Sequence, residues 1–338
     1  MPLFGMFSND IAIDLGTANT LIYMKGKGIV LNEPSIVTYD VTSRKIIAIG
    51  EESKQMMGKV HKELATIRPM KDGVIADFEI AEGMIKEFIK KISSSWMPSK
   101  RIVICVPSGI TEVEKRAVRD TAEHAGAKEV YLISEPMAAA IGIGLDVMGP
   151  YGNMIVDIGG GTTEIAVIAL SGITNGASIR IAGDELTESI IRFFRNNHNI
   201  LIGERTAEEI KCQVGSVMPQ KEEVIIEVKG RDLVAGVPKI TEVSSVEIRE
   251  SLNSPVIQMI EAVKVALEKT APELSSDLLD RGIFLTGGGA LIKGLDERIK
   301  METGVPVHVA DDPLTAVARG TGKVLENLDN YKKVLLRR

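Results

Sequence analysis

Two short segments of the chain repeat one pattern: Ile13-Asp14-Leu15-Gly16-Thr17-Ala18-Asn19-Thr20 and Val156-Asp157-Ile158-Gly159-Gly160-Gly161-Thr162-Thr163. Each is a β-branched run that reaches an Asp, turns through Gly and Thr, and continues into a second apolar run, Leu21-Ile22-Tyr23 or Ile165-Ala166-Val167-Ile168. Glycines let backbone N–H groups surround phosphate oxygens with no Cβ in the way, and Thr hydroxyls add donors. An Asp at a strand end is poorly suited to touch phosphate, but two of them facing each other across a triphosphate hold a hydrated Mg²⁺ through its waters. One such hairpin alone is an ordinary turn between strands. Two, with Asp14 and Asp157 standing 143 positions apart, predict a nucleotide held between similar lobes. No segment has the P-loop spacing that ends in Lys-Ser or Lys-Thr, or the three-glycine spacing of a dinucleotide fold, which disfavours both classes.

A third glycine cluster follows at Thr286-Gly287-Gly288-Gly289-Ala290-Leu291, after the buried-type strand Ile283-Phe284-Leu285 and before a helical pattern. A turn of this kind lets a flat base lie against backbone. Two strand–Asp–Gly hairpins and then a triple-glycine turn, in this order, resemble the ATPase superfamily of actin, heat-shock chaperones and sugar kinases. Within it, the stretches Asn9 to Ser35, Arg68 to Asp77, Glu135 to Gly142, Val156 to Glu164, Ile202 to Lys211 and Leu285 to Leu291 resemble the MreB family of rod-shape-determining bacterial actins, including its Mbl branch. The resemblance covers nearly the whole chain.

Composition agrees with a large α/β protein. At 338 residues and 44% hydrophobic content the chain exceeds the size at which one core usually divides, so two lobes are expected. A net charge of −6 argues against a general nucleic-acid binder, which carries a basic face. Cys105 and Cys212 have no C-x-x-C partner, and His61, His124, His198 and His308 lack ligand spacing. A reduced cytosolic protein without a protein-ligated metal is therefore expected. No apolar run approaches the ~20 residues of a membrane span, and the N-terminus does not read as a secretion signal.

Hydrophobic periodicity predicts strands at 10–15, 20–24, 28–31, 35–39, 46–49, 102–106, 130–133, 153–158, 164–170, 179–181, 224–228 and 282–286. It predicts helices at 80–93, 112–125, 136–144, 184–198, 206–215, 246–270, 290–302 and 313–327. The resemblance implies the actin-like fold, two lobes of mixed sheet flanked by helices with the nucleotide in the cleft. Lobe I would run over 1–142 plus 312–338 with an insertion at about 30–75, and lobe II over 143–311 with an insertion at about 186–247. No further domain is expected after the second lobe, which counts against a peptide-binding chaperone, and no extra cleft Asp suits a sugar-kinase base.

Hydrolysis requires a group that orients the attacking water. Glu135 follows the apolar strand Val130 to Ile133 and precedes Pro136, so it emerges at a strand's carboxyl end. Locally it also reads as an acid favouring a helix N-terminus. The resemblance implies that Glu135 positions water, and Thr162 is placed to share it. The expected ATP/ADP contacts are Asp14, Gly16, Thr17, Ala18, Asn19, Asp157, Gly159, Gly160, Gly161, Thr162, Gly287, Gly288, Gly289 and Ala290, with Asp14 and Asp157 holding Mg²⁺ through water. The first hairpin contains no lysine, which is consistent with slow hydrolysis. Thr206 and Glu209 have capping-box spacing. Glu208 and Lys211 read either as a solvated ion pair or, by the resemblance, as contacts to ribose and adenine.

Two apolar segments concern location. Trp96, with Met97, lies in the polar run Ser93 to Ser99, and Leu3, Phe4 and Phe7 crowd the N-terminus. Both read either as packed on the protein or as inserting at a membrane interface, where Trp and Phe are favoured; the resemblance favours insertion. The C-terminal Lys332-Lys333-Val334-Leu335-Leu336-Arg337-Arg338 reads either as lipid-attracted or as a solvated tail. The resemblance further implies self-assembly into paired antiparallel protofilaments and a peripheral position on the inner face of the cytoplasmic membrane. Its implied partners are RodZ and the MreC/MreD elongation machinery, with no nucleic acid.

Overall fold

Uninterrupted apolar runs such as Ile11-Ala12-Ile13 and Met154-Ile155-Val156 suit strands covered on both faces. Both are central strands in the computed structural model, which describes residues 10–92 and 101–336. The first half opens with β1 (Ile11–Leu15), β2 (Asn19–Met24) and β3 (Gly28–Pro34). An excursion follows: β4 (Val37–Asp40), β5 (Ile46–Ile49), α1 (Gly50–Met56) and β6 (Leu64–Ile67), then a small hairpin of β7 (Met70–Lys71) and β8 (Val74–Ile75). The half is completed by α2 (Phe78–Ile92), β9 (Arg101–Val106), α3 (Glu112–His124), β10 (Glu129–Ser134) and α4 (Glu135–Gly142).

The second half begins the same way, with β11 (Asn153–Ile158), β12 (Thr163–Ala169) and β13 (Gly172–Ile179). Its excursion is α5 (Gly183–His198), β14 (Ile200–Leu201), α6 (Glu204–Val214), β15 (Ile225–Asp232) and β16 (Pro238–Ser244). Then come α7 (Ser245–Glu268), α8 (Pro272–Arg281), β17 (Ile283–Thr286), α9 (Leu295–Thr303), β18 (Val307–Val309) and α10 (Ala316–Glu326). The two large sheets share one plan: β3-β2-β1-β9-β10 and β13-β12-β11-β17-β18. In each, the first three strands form an antiparallel meander and the last two join in parallel through helical crossovers. The duplicated motif thus marks a duplicated sheet, with the Asp at the end of its central strand. Three-stranded sheets β5-β4-β6 and β14-β15-β16 decorate the two halves.

One apolar cluster packs beside each sheet, and a third joins them. It contains Ala12, Val103 and Cys105 of the first sheet, Ile155, Ala166 and Ile168 of the second, Met137 to Ile141 of α4, and Val317, Val324 and Leu325 of α10. Helices α4 and α10 cross so closely that a Cβ on Gly142 would be driven into the Ala316 carbonyl, and one on Gly320 into the Ala138 carbonyl. Lys323 Nζ donates to the carbonyls of Ile141 and Gly142 at 3.0 and 3.1 Å, placing a cation at the negative end of α4.

Several local expectations need correction. The helix expected at 290–302 is broken: a 3-10 turn covers Gly288–Leu291, Gly294 takes φ 79°, and α9 starts only at Leu295. The helix expected at 206–215 starts at Glu204 with Gly203 as N-cap, so Thr206 lies inside it and the Thr206/Glu209 pair is not a capping box. Glu209 instead pairs with Arg205 at 2.9 Å. The expected elements omit strands β6, β7, β8, β14, β16 and β18 and helices α1 and α8, and the strand expected at 179–181 lies at Gly172–Ile179. Residues 332–336 are no loose tail: Val334 is buried and the Leu336 N–H donates to the Leu132 carbonyl at 2.8 Å.

The α4–α10 crossing predicts that Gly320→Ala, a one-carbon change on a helix that otherwise favours Ala, destabilises the protein. Overpacking of this kind costs about 1–3 kcal/mol, to be read as a lower denaturation midpoint at unchanged slope.

Candidate active site

The Asp-Gly turns of the two sheets face each other. In the first, Asp14 pairs with Leu21 across β1–β2, and a Cβ on Gly16 would stand 2.7 Å from the Asn19 carbonyl oxygen, so the tight turn requires glycine. In the second, Asp157 pairs with Glu164 across β11–β12, and the Gly159 N–H donates to the Thr162 carbonyl at 2.9 Å. A Cβ on Gly160 would come within 2.9 Å of the Ala18 Cβ, and one on Gly161 within 2.8 Å of Thr17 Oγ1. Backbone therefore lies against backbone between turns that are far apart in sequence.

The third cluster has another use than expected. The bare faces of Gly287 and Gly289 turn toward Ile158 of the second hairpin, where a Cβ on Gly287 would meet its backbone and one on Gly289 its side chain. Those two glycines are required by packing inside the protein, and the base-stacking argument does not follow from them. Gly288 is exposed, with Leu314 beside it, and Ala290 is buried in the core.

Around the facing turns the protein gathers the carboxylates of Asp14, Asp157, Glu135 and Glu164. Cys105 Sγ donates to Asp14 Oδ1 at 3.2 Å, and burial pushes the Asp14 carboxyl up to about 6 against that bond. Thr286 Oγ1 donates to Asp157 Oδ1 at 2.7 Å; burial, aided by the charges of Asp14 and Glu164, still pushes Asp157 up to about 7. Glu135 is pushed well above the carboxylate range by burial, then by the charges of Glu164, Asp157 and Asp14. An acid recruited only to a helix N-terminus would shift the other way. Two carboxylates at facing strand ends, Asp157 buried and Asp14 half-buried, held by a hydroxyl and a thiol, fit a divalent cation that approaches through its waters. Such an ion supplies positive charge to the carboxylates and to phosphate oxygens at once.

Thr162 is buried beneath an element to which sequence reasoning gave no chemistry. The β7–β8 turn, Asp72 at φ 51° and Gly73 at φ 77°, is a primed hairpin turn of the kind Asp-Gly signals. The Gly73 N–H donates to Thr17 Oγ1 at 3.1 Å, and a Cβ on Gly73 would lie 3.0 Å from Thr162 Cγ2. The turn thus touches both hairpins.

Glu208 and Lys211 are more than a solvated pair. Lys211 is buried, with Nζ 2.6 Å from Glu208 Oε2, 2.8 Å from the Gly183 carbonyl and 3.0 Å from Thr187 Oγ1. Thr187 Oγ1 also donates to Glu208 Oε2 at 2.6 Å, and although burial opposes ionisation, these partners hold Glu208 below its ordinary range. The Gly183 and Asp184 N–H groups donate to the Gly159 and Gly160 carbonyls at 3.1 and 2.7 Å, which ties α5 to the second Asp-Gly turn. From the other half, Arg68 reaches Glu204 at 2.7 Å and Asp184 at 3.9 Å. Leu3, Phe4, Phe7, Trp96 and Met97 lie outside the described residues.

The sequence matches the family described as MreB/Mbl protein over residues 8–333. It is 55% identical over 333 residues to the cell shape-determining protein MreB of Escherichia coli, covering 97% of this chain and 96% of that one. It is 50% identical over 329 residues to the cell shape-determining protein Mbl of Bacillus subtilis, covering 97% and 99%. The fold is similar to the crystal structure of MreB5 of Spiroplasma citri bound to AMPPNP, with a TM-score of 0.91 at 36% identity over 96% of this chain and 98% of that one.

Raised carboxyls have a pH signature. With Asp14 raised from 3.8 to about 6 and Asp157 from 3.8 to about 7, the ligand-free fold keeps protons that the unfolded chain has already released, so these groups cost stability progressively as pH rises from about 4 to their folded values and nothing further above them. Asp157→Asn should come within about 0.5 kcal/mol of the parent at pH 4 and exceed it by about 2–4 kcal/mol at pH 8 in metal-free buffer, measured by denaturant unfolding.

Proposed function

Because the chain belongs to the MreB/Mbl family, we propose that it is an ATP-dependent bacterial actin that assembles into membrane-associated filaments, organises cell-wall synthesis and maintains rod shape. The observation that carries this reading is the pair of facing Asp-Gly hairpins, each ending the central strand of an equivalent sheet.

In this reading the lobes comprise 1–142 with 312–338, and 143–311, and the triphosphate lies between the turns at 16–19 and 159–162. Their N–H groups and the Thr17 and Thr162 hydroxyls bind phosphate oxygens, while Asp14 and Asp157 hold Mg²⁺ through water. Glu135 and Thr162, contributed by different sheets, hold the attacking water near the γ-phosphate. Glu208 and Lys211 reach the nucleoside from α6, where their network with Gly183 and Thr187 already fixes both side chains. A site without a lysine on the first hairpin is expected to hydrolyse ATP slowly. Self-association as paired antiparallel protofilaments, attachment to the inner face of the cytoplasmic membrane through Trp96 and the N-terminal segment, and engagement of RodZ and MreC/MreD complete the proposal on the strength of family membership.

Glu135→Ala should retain ATP binding and lose hydrolysis by about 10²-fold or more, as read by fluorescent-nucleotide titration beside phosphate release; parental turnover would remove the assignment. Electron microscopy on anionic lipid should show paired filaments with ATP·Mg²⁺ and none without nucleotide. Dispersed monomers that bind ATP would instead favour a small-molecule kinase.

A further inference from the structure

Strand β12 is apolar from Ile165 to Ala169 and carries one carboxylate, Glu164, which has no exposed surface. Burying a carboxylate is costly unless both oxygens are satisfied, and here the donors come from different sheets. Ser178 Oγ, on the neighbouring strand β13, donates to Oε1. The Ser108 N–H, on the loop that leaves β9 of the first sheet, donates to Oε2 at 2.9 Å. The same loop presses its bare glycine on that strand: a Cβ on Gly109 would lie 3.3 Å from the Ser178 Cβ.

This loop borders both halves of the chemistry. Pro107 stands where a Cβ on Gly73 would meet it at 2.8 Å, beside Thr162. Val106, just before it, pairs with Ser134, the residue preceding Glu135. Glu164 itself stands opposite Asp157 and two residues after Thr162. Among the charges that act on Glu135, those of Glu164, Asp157 and Asp14, the first is the strongest.

We propose that Glu164 is a positioning residue for hydrolysis: its carboxylate clamps the 107–110 loop of the first sheet onto β12–β13 of the second and so sets Glu135 against Thr162. The inference rests on the reading of Glu135 and Thr162 as the pair that holds the attacking water. A misplacement on the order of 1 Å between such groups is enough to cost about 10²-fold in rate.

The test uses the full chain and three readouts. Glu164→Gln, which keeps the shape and removes the charge, should leave the Kd for a fluorescent ATP analogue within about twofold and lower kcat about tenfold or more, with KM little changed. In nucleotide-free hydrogen exchange, the peptide containing Ser108 should exchange at least about tenfold faster in this variant than in the parent. Combined with Glu135→Ala, Glu164→Gln should slow hydrolysis no further, since both act through one water; a purely structural role would add its own loss. Parental kcat in Glu164→Gln, or unchanged exchange at Ser108, would overturn the proposal. If Glu164→Gln does not fold, Ser178→Ala, which removes one donor and leaves the charge, should lower kcat about threefold at unchanged KM, and parental kcat there would overturn it equally. A parent that binds ATP without hydrolysing it would overturn the ATPase reading and the positioning role together. That failure is distinguishable from failure of the clamp, because exchange at Ser108 is read without nucleotide.

Discussion

The close crossing of α4 and α10 is the constraint from which the rest follows. Two helices approach at Gly142 and Gly320 until backbone meets backbone, and one apolar cluster runs through that crossing from the first sheet to the second. Each helix belongs to the end of one half: α4 follows β10, the outermost parallel strand of the first sheet, and α10 follows β18, its equivalent in the second. Any side chain at either glycine would push the sheets apart. With the sheets at this separation, the turns at their strand ends come within contact distance, Gly160 against Ala18 and Gly161 against Thr17.

A second consequence is electrostatic. Bringing two similar halves together places like charges at equivalent positions, so Asp14 and Asp157 face one another with Glu135 and Glu164 nearby. The protein supplies a thiol, hydroxyls and a backbone N–H to these groups, and burial, with their mutual repulsion, still raises Asp14, Asp157 and Glu135. Ligand-free stability and ligand affinity are therefore set against each other: charge that is costly without a ligand is what a hydrated divalent cation and its phosphates would use. Polar links between the halves, Glu164 to Ser108 and Arg68 to Glu204, flank this region on two sides.

Much of this was legible in the chain. The two hairpins, their aspartates and the strand-final position of Glu135 are local patterns, readable because a β-branched run, an Asp and a Gly turn constrain only their own neighbourhood. Local reading is incomplete where the decisive partner is remote. Gly287 and Gly289 read as a platform for a base, and a demand for glycine that the local pattern does not contain comes from Ile158, well over a hundred residues earlier. Thr206 and Glu209 have capping-box spacing, yet the helix starts before them, whereas the boxes that do form are Thr111–Glu114 and Ser244–Glu247. Glu164 leaves a readable sign, a lone carboxylate at the head of the apolar run Ile165 to Ala169, but its partners Ser108 and Ser178 are set by the fold.

What the sequence determined by itself is the repeated unit: which residues turn tightly, where the aspartates sit relative to those turns, and that the chain has two equivalent halves. Turn geometry and strand burial are short-range properties, so they survive as pattern in one dimension. What only the tertiary structure decided is which groups share a site. Cys105 beside Asp14, Thr286 beside Asp157, Gly73 beside Thr17 and Thr162, and Ser108 on Glu164 are pairings between different strands and loops. Their distances depend on how two sheets are held by a pair of crossing helices, and no local spacing encodes that separation.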